Sequence, residues 1–469
     1  MEDLTQRAEQ ELEKMDLENF FSDEEEFTLE DQHTNEEPVQ EDQQMNEDFS
    51  KVNIATEDSF NDKHNQMRLY RMFYDNFFPY KLYFHWLNYD ITPTKNFTHR
   101  EFSFTLPNDI YIRFKSFENA ELLKKEIERL QPIKIDIGAV YSVQPKYKKT
   151  VSEKAFKPTE KELVFDIDMT DYDEVRTCCS GGDICLLCWE FMTVAIKIVD
   201  QSLREDFGFK HIMWVYSGRR GVHCWVCDER ARKLDNDSRK AIINFLDIIK
   251  GGAHVSRKVK LPYILHPSLK RSFEVVEQHF KPLLIEKMGI LDNEERWNKV
   301  LDIITDFAVR DKLAEKWKDN YKCSANEKWD MLVKEEEKSE KKKKFKDPFL
   351  RDIMFQYCYP RLDVKVSTNI NHLLKSPFCV HPKTLKVCVP IKPEECEHFD
   401  PINVPNLNTL RKEVMEFDQQ QQQNTDAKLL DYKKTSLKPY IEYFDKFVKS
   451  LLSETIQSKR DAAEKSMEF

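Results

Sequence analysis

The segment from residue 161 to residue 228 restricts the possible folds of this chain more than any other stretch. Its apolar pattern predicts a strand at 161–169, a helix at 189–203 and two further strands at 211–216 and 222–227. Only a short loop separates the last two strands, and it contains two of the chain's nine glycines. Because a strand, a helix and a tight hairpin follow one another here, we expect a mixed α/β (α+β) core.

Charge is distributed unevenly along the 469 residues, and this changes what the net charge of −11 implies. Residues 1–60 contain 21 acidic and three basic residues, so the rest of the chain carries a net charge of +7. An acidic protein is usually a poor binder of nucleic acid, but here the acidity belongs to one terminal segment. A nucleic-acid partner therefore stays open. We expect an acidic, disordered extension at the N-terminus, no signal peptide and no membrane span.

Asp166 and Asp168 lie near the end of the first predicted strand. Side chains two residues apart share one face of a strand, so both carboxylates project together. A bound divalent cation would offset their repulsion, and Mg²⁺ accepts one or two carboxylates while keeping positions for phosphate oxygens. Two such ions can activate a hydroxyl and stabilise a leaving phosphate. The alternative is a pair of surface acids at a strand end.

The glycine-containing loop at 217–221, with the sequence SGRRG, is a candidate phosphate site. Guanidinium groups pair with phosphate in bidentate fashion, and Ser217 and backbone N–H groups add donors. His223, just beyond the loop, is a further donor. The alternative is a basic hairpin turn whose arginines, Arg219 and Arg220, are solvated.

Four cysteines within eleven residues are the candidate metal ligands: Cys178, Cys179, Cys185 and Cys188. Four thiolates suit tetrahedral Zn²⁺ in a closed, structural site, although the adjacent pair is unusual. Buried free thiols are the alternative. Cys224 and Cys227 alternate with apolar residues on a predicted strand, so for them we expect core packing.

The rest of the chain divides by composition. Residues 230–355 are rich in Lys and Glu with helical periodicity, which predicts a mostly helical insertion. Strand character returns at 361–366, where Asp363 is a strand-like acid, and at 385–391. A poly-Gln run at 419–423 indicates a flexible break. We expect the following segments: an acidic extension at 1–63, a catalytic core at 64–229 and 356–410, the helical subdomain at 230–355, a flexible break at 411–430 and a helical C-terminal segment at 431–469.

Four strings in this order resemble the small, catalytic subunit of eukaryotic DNA primase, within the archaeo-eukaryotic primase family. They are ELVFDIDMTDYDEVR at 162–176, CC-x5-C-x2-CW at 178–189, WVYSGRRGVHCWVCDE at 214–229 and PRLDVKVSTNINHLLKSPFCVHPKT at 360–384. The resemblance extends from about residue 67 to the C-terminus. It implies the catalytic core of that family, with a structural zinc knuckle at 178–188 and an inserted helical subdomain.

The resemblance also implies roles for individual residues. Asp166, Asp168 and Asp363 match the ligands of catalytic Mg²⁺ or Mn²⁺, and the four cysteines match the zinc knuckle. Glu101 matches a residue tied to activity. The positions that match nucleotide contacts are Arg113, Ser217, Arg219, Arg220, His223, His372, Lys375 and His381.

The function implied by the resemblance is the synthesis of short RNA primers on a DNA template, by nucleotidyl transfer that releases pyrophosphate. The expected partners are a large primase subunit, the catalytic and accessory subunits of DNA polymerase alpha, single-stranded DNA and ribonucleoside triphosphates. A replication protein could bind the acidic extension, and the expected location is the nucleus. The alternatives are a primase-polymerase that acts in repair and a non-catalytic, zinc-containing scaffold that binds nucleic acid.

Overall fold

The computed structural model describes residues 57–252, 255–319, 322–341, 348–420 and 429–467. The expected acidic extension lies outside these residues up to residue 56, as does most of the poly-Gln run. Within the described part of the chain, no helix is both long enough and apolar enough to cross a membrane.

In the residues that the structure describes, nine strands form two antiparallel sheets. The first sheet has the order β2-β1-β3-β4, with β8 also paired to β3. Its strands are β1 (Arg100–Thr105), β2 (Tyr111–Lys115), β3 (Lys134–Tyr141), β4 (Pro158–Glu160) and β8 (Leu374–Lys375). The second sheet has the order β5-β7-β6-β9. Its strands are β5 (Leu163–Asp168), β6 (Ile212–Tyr216), β7 (Gly221–Val226) and β9 (Pro390–Ile391).

The second sheet contains the segment that the sequence singled out, and its three predicted strands are present. β5 pairs with β7 so that Asp166 lies opposite His223 and Asp168 lies opposite Gly221. At Gly221 the two strands approach so closely that a Cβ would lie 2.3 Å from the carbonyl oxygen of Ile167. A glycine is therefore needed for this register.

The helices cover the sheets and share one hydrophobic core with them. Trp86 packs edge to face on Trp225 of β7 and on Phe444 of the C-terminal helix. The helices are α1 (Glu57–Asn76), α2 (Tyr80–Asn88), α3 (Lys95–Thr98), α4 (Ala120–Leu130), α5 (Leu186–Glu205), α6 (Glu229–Arg232), α7 (Asn236–Leu246), α8 (Pro267–Phe280), α9 (Glu294–Leu301), α10 (Phe307–Asp319), α11 (Ala325–Lys341), α12 (Phe349–Cys358), α13 (Val364–Thr368), α14 (Leu407–Gln420) and α15 (Lys438–Met467).

In the described part of residues 230–355, every regular element is a helix, and a π-helix (Lys281–Lys287) continues α8. This agrees with the helical periodicity of the sequence. The helix α14 runs up to Gln420, so the first half of the segment that we expected to be a flexible break is helical.

The predicted strand at 361–366 is wrong. Residues 364–368 form the short helix α13, and Asp363 is its N-cap. The Asp363 carboxylate accepts hydrogen bonds from the backbone N–H groups of Lys365 at 2.9 Å and Val366 at 3.3 Å. Side-chain capping of this kind overrides the β-propensity of the two valines, because it satisfies N–H groups that a strand would pair elsewhere.

Candidate active site

A cleft of about 300 Å³ lies where the two sheets meet. Lys375 connects the two walls of the cleft. Its strand, β8, pairs with β3 of the first sheet. Its ammonium group donates a hydrogen bond at 3.0 Å to the carbonyl of Ser217, which directly follows β6 of the second sheet. The cleft is lined by Lys134, Asp136, Asp166, Asp168, Ser217, Arg219, Arg220, His223, Val366, His372, Leu373, Leu374, Lys375 and His381.

The ionised form of Asp166 is disfavoured by its surroundings in this cleft. Burial and, to a smaller extent, the carboxylates of Asp168 and Asp363 raise the pKa of Asp166 to about 7, against the opposing effect of Lys375. The nearest ring, that of His223, lies 3.6 Å away from its carboxylate. Asp166 thus lacks a strong counter-charge and would bind a cation with a gain in electrostatic energy.

Asp168 has the opposite environment although it lies only two residues further along β5. Burial would raise its pKa, but hydrogen bonds from Thr170 and Arg220 lower it overall. Thr170 donates from its backbone at 2.8 Å and from its hydroxyl at 2.6 Å, and the Arg220 Nε donates at 2.9 Å. Asp168 is therefore ionised and already oriented.

Asp363 is placed beside these two acids by the backbone. Its N–H donates to the Asp166 carbonyl at 3.0 Å, which fixes the start of α13 against the end of β5. Asp363 lines a neighbouring cleft together with Asp171 and Glu174. The three acids are close enough to interact, but only two of them line the main cleft.

The SGRRG loop is rigid at both ends. The N–H of Gly221 donates to the Ser217 hydroxyl at 3.0 Å, and the hydroxyl of Thr384 donates to the Gly218 carbonyl at 2.7 Å. Gly218 has a φ of +87°, and a Cβ there would lie 2.6 Å from the Cβ of His381. The guanidinium of Arg219 lies against Gly182 of the cysteine segment.

Two histidines of the cleft are neutral near pH 7. Burial, together with the positive charge of Lys375, lowers the pKa of both His223 and His381 to about 3. Within the described part of the chain, the buried Nδ1 of His223 has no hydrogen-bond partner. This nitrogen is therefore available for a hydrogen bond to a ligand in the cleft.

Glu101 and Arg113 do not line the cleft. They pair with each other on the first sheet, where Arg113 donates to the Glu101 carboxylate at 2.9 and 3.2 Å and the Tyr141 hydroxyl donates at 3.2 Å. Glu101 is fully buried. The Cβ of Glu101 and the side chain of Leu373 both lie close to Gly138. Because Leu373 lines the cleft, Glu101 lies behind the cleft wall and supports it. His372 is placed at the rim and is exposed.

Lys134 and Asp136 line the cleft but were not among the residues that the sequence indicated. Their side chains form an ion pair at 2.9 Å. They lie on β3 opposite β8, where Asp136 pairs in register with Lys375. The two-residue spacing places both side chains on one face of a strand, but such pairs of charged residues are common in strands. Only the position of β8 in the folded chain shows that this face is part of the cleft.

The structure brings the four cysteines of the predicted zinc knuckle together. Their Sγ atoms all lie within 4.8 Å of one another, and those of Cys185 and Cys188 are 3.9 Å apart. This spacing fits the edges of a tetrahedron with Zn–S bonds of about 2.3 Å. Among the residues that the structure describes, no other group of three or more potential ligands is gathered in this way. Cys224 and Cys227 are buried in the core, as expected.

A cleft that is lined by both carboxylates and cationic side chains suits the transfer of a nucleotidyl group, because that reaction binds a polyphosphate together with a divalent cation. The lining of this cleft therefore fits the class of nucleotidyltransferases. A family model described as DNA primase small subunit matches residues 165–393.

Three proteins named DNA primase small subunit are similar to most of the chain. The protein of Schizosaccharomyces pombe is 42% identical over 83% of this chain and 90% of its own length. Those of Drosophila melanogaster and Saccharomyces cerevisiae are 39% and 36% identical, over 81% and 82% of this chain and 90% and 92% of their own lengths. The chain belongs to the DNA primase small subunit family, and it is a nucleotidyltransferase that makes RNA primers for DNA replication.

Proposed function

We propose that the cleft joins ribonucleotides by in-line nucleotidyl transfer. The 3′-hydroxyl oxygen of the growing RNA attacks the α-phosphorus of a ribonucleoside triphosphate, and the bond from that phosphorus to pyrophosphate breaks. The observation that supports this proposal is the lining of one cleft by the carboxylates of Asp166 and Asp168 together with the cationic side chains of Arg219, Arg220 and Lys375.

Asp166, Asp168 and Asp363 are the proposed ligands of the catalytic metal. Their fit to a cation is supported by the raised pKa of Asp166, which burial and the two other carboxylates cause. A bound Mg²⁺ or Mn²⁺ supplies positive charge that acidifies the attacking hydroxyl and stabilises the leaving pyrophosphate. Thr170 already holds the Asp168 carboxylate in place, so little conformational entropy is lost at this side chain when a ligand binds.

The triphosphate contacts are proposed for the SGRRG loop and the strip around β8. Arg219, Arg220 and Lys375 supply positive charge, and Ser217 supplies a hydroxyl. His223 is neutral and has a free Nδ1, so it can form a hydrogen bond without adding charge. His372 and His381 extend the same wall. We place Glu101 and Arg113 one layer behind it, where they would support the wall or contact template.

Cys178, Cys179, Cys185 and Cys188 are the proposed ligands of a structural Zn²⁺, which would hold the segment between β5 and α5. Arg219 lies against Gly182 of that segment, so the zinc knuckle would also support the nucleotide loop. Membership of a small-subunit family implies a large subunit as partner and a DNA template. We further propose assembly with DNA polymerase alpha and action in the nucleus.

Replacing one carboxylate tests the proposed chemistry. Asp166→Asn removes a metal ligand but keeps the size of the side chain, so we expect template-directed ribonucleotide incorporation to fall by at least about a thousandfold. The assay uses labelled ribonucleoside triphosphates with Mg²⁺ or Mn²⁺. Asp109→Asn, in the exposed turn between β1 and β2, is the matched control and should retain activity. Normal incorporation by Asp166→Asn would refute the metal assignment.

A further inference from the structure

A strongly basic surface lies beside the first sheet, outside the cleft. Residues 145–157 contain five lysines and one glutamate, and all six of these side chains are exposed. Lys146 forms an ion pair with Glu118 at 3.0 Å. The other four lysines have no ion-pair partner among the described residues: they are Lys148, Lys149, Lys154 and Lys157. Unpaired lysines at this density indicate an anionic partner.

Aromatic rings are interleaved with these lysines. The Tyr147 ring is 48% exposed, and the Lys146 ammonium lies 5.2 Å from its centre. The Lys148 ammonium lies 3.6 Å from the centre of the Phe114 ring. Phe156 stacks on Tyr141 with ring centres 4.2 Å apart. Single-stranded nucleic acid is bound by this combination, in which cations follow the backbone and open rings stack on bases.

The segment is held in place by the sheet. Residues Pro145–Thr150 form a 3₁₀ helix, and the N–H of Tyr147 donates to the Gln144 carbonyl at 2.9 Å. Ser142 closes the loop, since its N–H donates to the Lys157 carbonyl at 2.9 Å while its hydroxyl accepts from the Lys157 N–H at 3.0 Å. A surface that is ordered before binding loses less entropy when a ligand binds.

β3 connects this surface to the catalytic cleft. Lys134 and Asp136, at one end of the strand, line the cleft, and Tyr141, at the other end, stacks on Phe156. The eight residues of β3 span about 24 Å, at about 3.4 Å per residue.

We propose that Tyr147, Lys148, Lys149, Lys154 and Lys157 form a basic strip that binds the single-stranded template strand outside the catalytic cleft. This inference rests on the proposed function, because a templated polymerase must hold a strand that passes its cleft. An acidic protein segment such as residues 1–60 is the other occupant that the charge would suit. The open Tyr147 ring and the connection to the cleft favour nucleic acid, since an acidic peptide needs neither.

The test compares two fourfold variants of the full chain. The strip variant carries Lys→Gln at 148, 149, 154 and 157. The control variant carries Lys→Gln at 240, 270, 281 and 316. These four lysines of the helical region are exposed, and they form no ion pair with any residue that the structure describes. Affinity for a labelled single-stranded oligodeoxynucleotide is measured over a range of salt concentrations.

We expect the strip variant to lose affinity by about tenfold or more at low salt, and its salt slope to fall by about 2–3, since about 0.7 ions are released per phosphate contact. The control variant has the same net charge and should keep the wild-type slope.

Tyr147 gives an independent measurement. Tyr147→Ala should weaken binding by about 5- to 100-fold, as loss of one stacked base does, whereas Tyr147→Phe keeps the ring and should bind as wild type. Unchanged affinity and slope in the strip variant would overturn the proposal and leave the surface to an acidic protein segment. If the wild type showed no metal-dependent RNA synthesis, the proposed function would be refuted instead. The binding assay and the synthesis assay therefore distinguish failure of the strip proposal from failure of the proposed function.

Discussion

Neighbouring aspartates on one strand differ in charge state because their surroundings differ. Asp166 and Asp168 project from the same face of β5, yet burial and two nearby carboxylates raise the pKa of Asp166 to about 7, while Thr170 and Arg220 lower that of Asp168. The sequence DID shows two equivalent acids. Only the hydrogen bonds of the folded chain reveal that one is oriented and the other is poised to accept a cation.

The raised pKa of Asp166 predicts a gain in stability when its charge is removed. A carboxyl whose folded pKa exceeds its unfolded value costs stability as pH rises from about 4 towards 7. Without divalent metal at pH 8, Asp166→Asn should therefore unfold at a higher temperature than wild type, and the difference should shrink towards pH 4. Added Mg²⁺ should stabilise the wild type more than the variant. A variant that melts below the wild type at pH 8 would contradict this assignment.

Arg220 serves as the present counter-charge of Asp168, at 2.9 Å. Arg220→Lys keeps the charge but loses the planar fork that pairs with a carboxylate or a phosphate. We expect the KM for ribonucleoside triphosphate to rise by about tenfold, with a smaller change in kcat. Lys240→Arg, on the exposed surface of α7, is the control for a conservative change of cation. A KM equal to that of the wild type would exclude Arg220 from nucleotide binding.

At the scale of elements, the β6–β7 hairpin places the SGRRG loop beside the carboxylates of β5. Its loop carries Ser217, Arg219 and Arg220, and its second strand must approach β5 closely enough to place His223 opposite Asp166. The spacing depends on Gly221, which lies against the Ile167 carbonyl. The sequence predicted the hairpin, but the reason for its second glycine is found on another strand.

Gly221→Ala tests that close approach. The added Cβ would lie 2.3 Å from the Ile167 oxygen, so the strands must separate. We expect the free energy of unfolding to fall by about 1–3 kcal/mol, as overpacking does, with a loss of primer synthesis. Gly252→Ala is the control, since its Cβ would meet no atom within 4 Å. Equal urea midpoints for the two variants would show that the contact is not limiting.

At the scale of the whole molecule, a buried ion pair connects the two sheets. Arg100 of β1 donates two hydrogen bonds, at 2.8 and 2.9 Å, to Glu162, which immediately precedes β5. Tyr89 donates a third at 2.5 Å. Burial would raise the pKa of Glu162, but the Arg100 charge and the Tyr89 hydroxyl lower it to about 2. The beginning of β5 is thus fixed to the first sheet.

This pair predicts how stability depends on pH. Because the folded pKa of Glu162 is depressed, its contribution is present above the unfolded value of about 4.5 and is lost as pH falls towards 2. Glu162→Gln leaves Arg100 buried without its counter-charge, so the free energy of unfolding at pH 7 should fall by about 3–5 kcal/mol. Glu337→Gln, an exposed change on α11, should have no measurable effect. A destabilisation of the same size at pH 2 and pH 7 would argue against this role.

The sequence by itself determined the strands β5, β6 and β7, the clustering of the four cysteines and the position of the SGRRG loop, because each depends on residues that are close in the chain. Only the tertiary structure shows that Asp363 lies beside Asp166, that Glu101 lies behind the cleft wall and that Lys134 and Asp136 line the cleft. These placements depend on contacts between residues that are distant in sequence. Local periodicity records which face of an element is buried. It does not record which other element packs on that face, and the cleft is formed by the packing of these elements against one another.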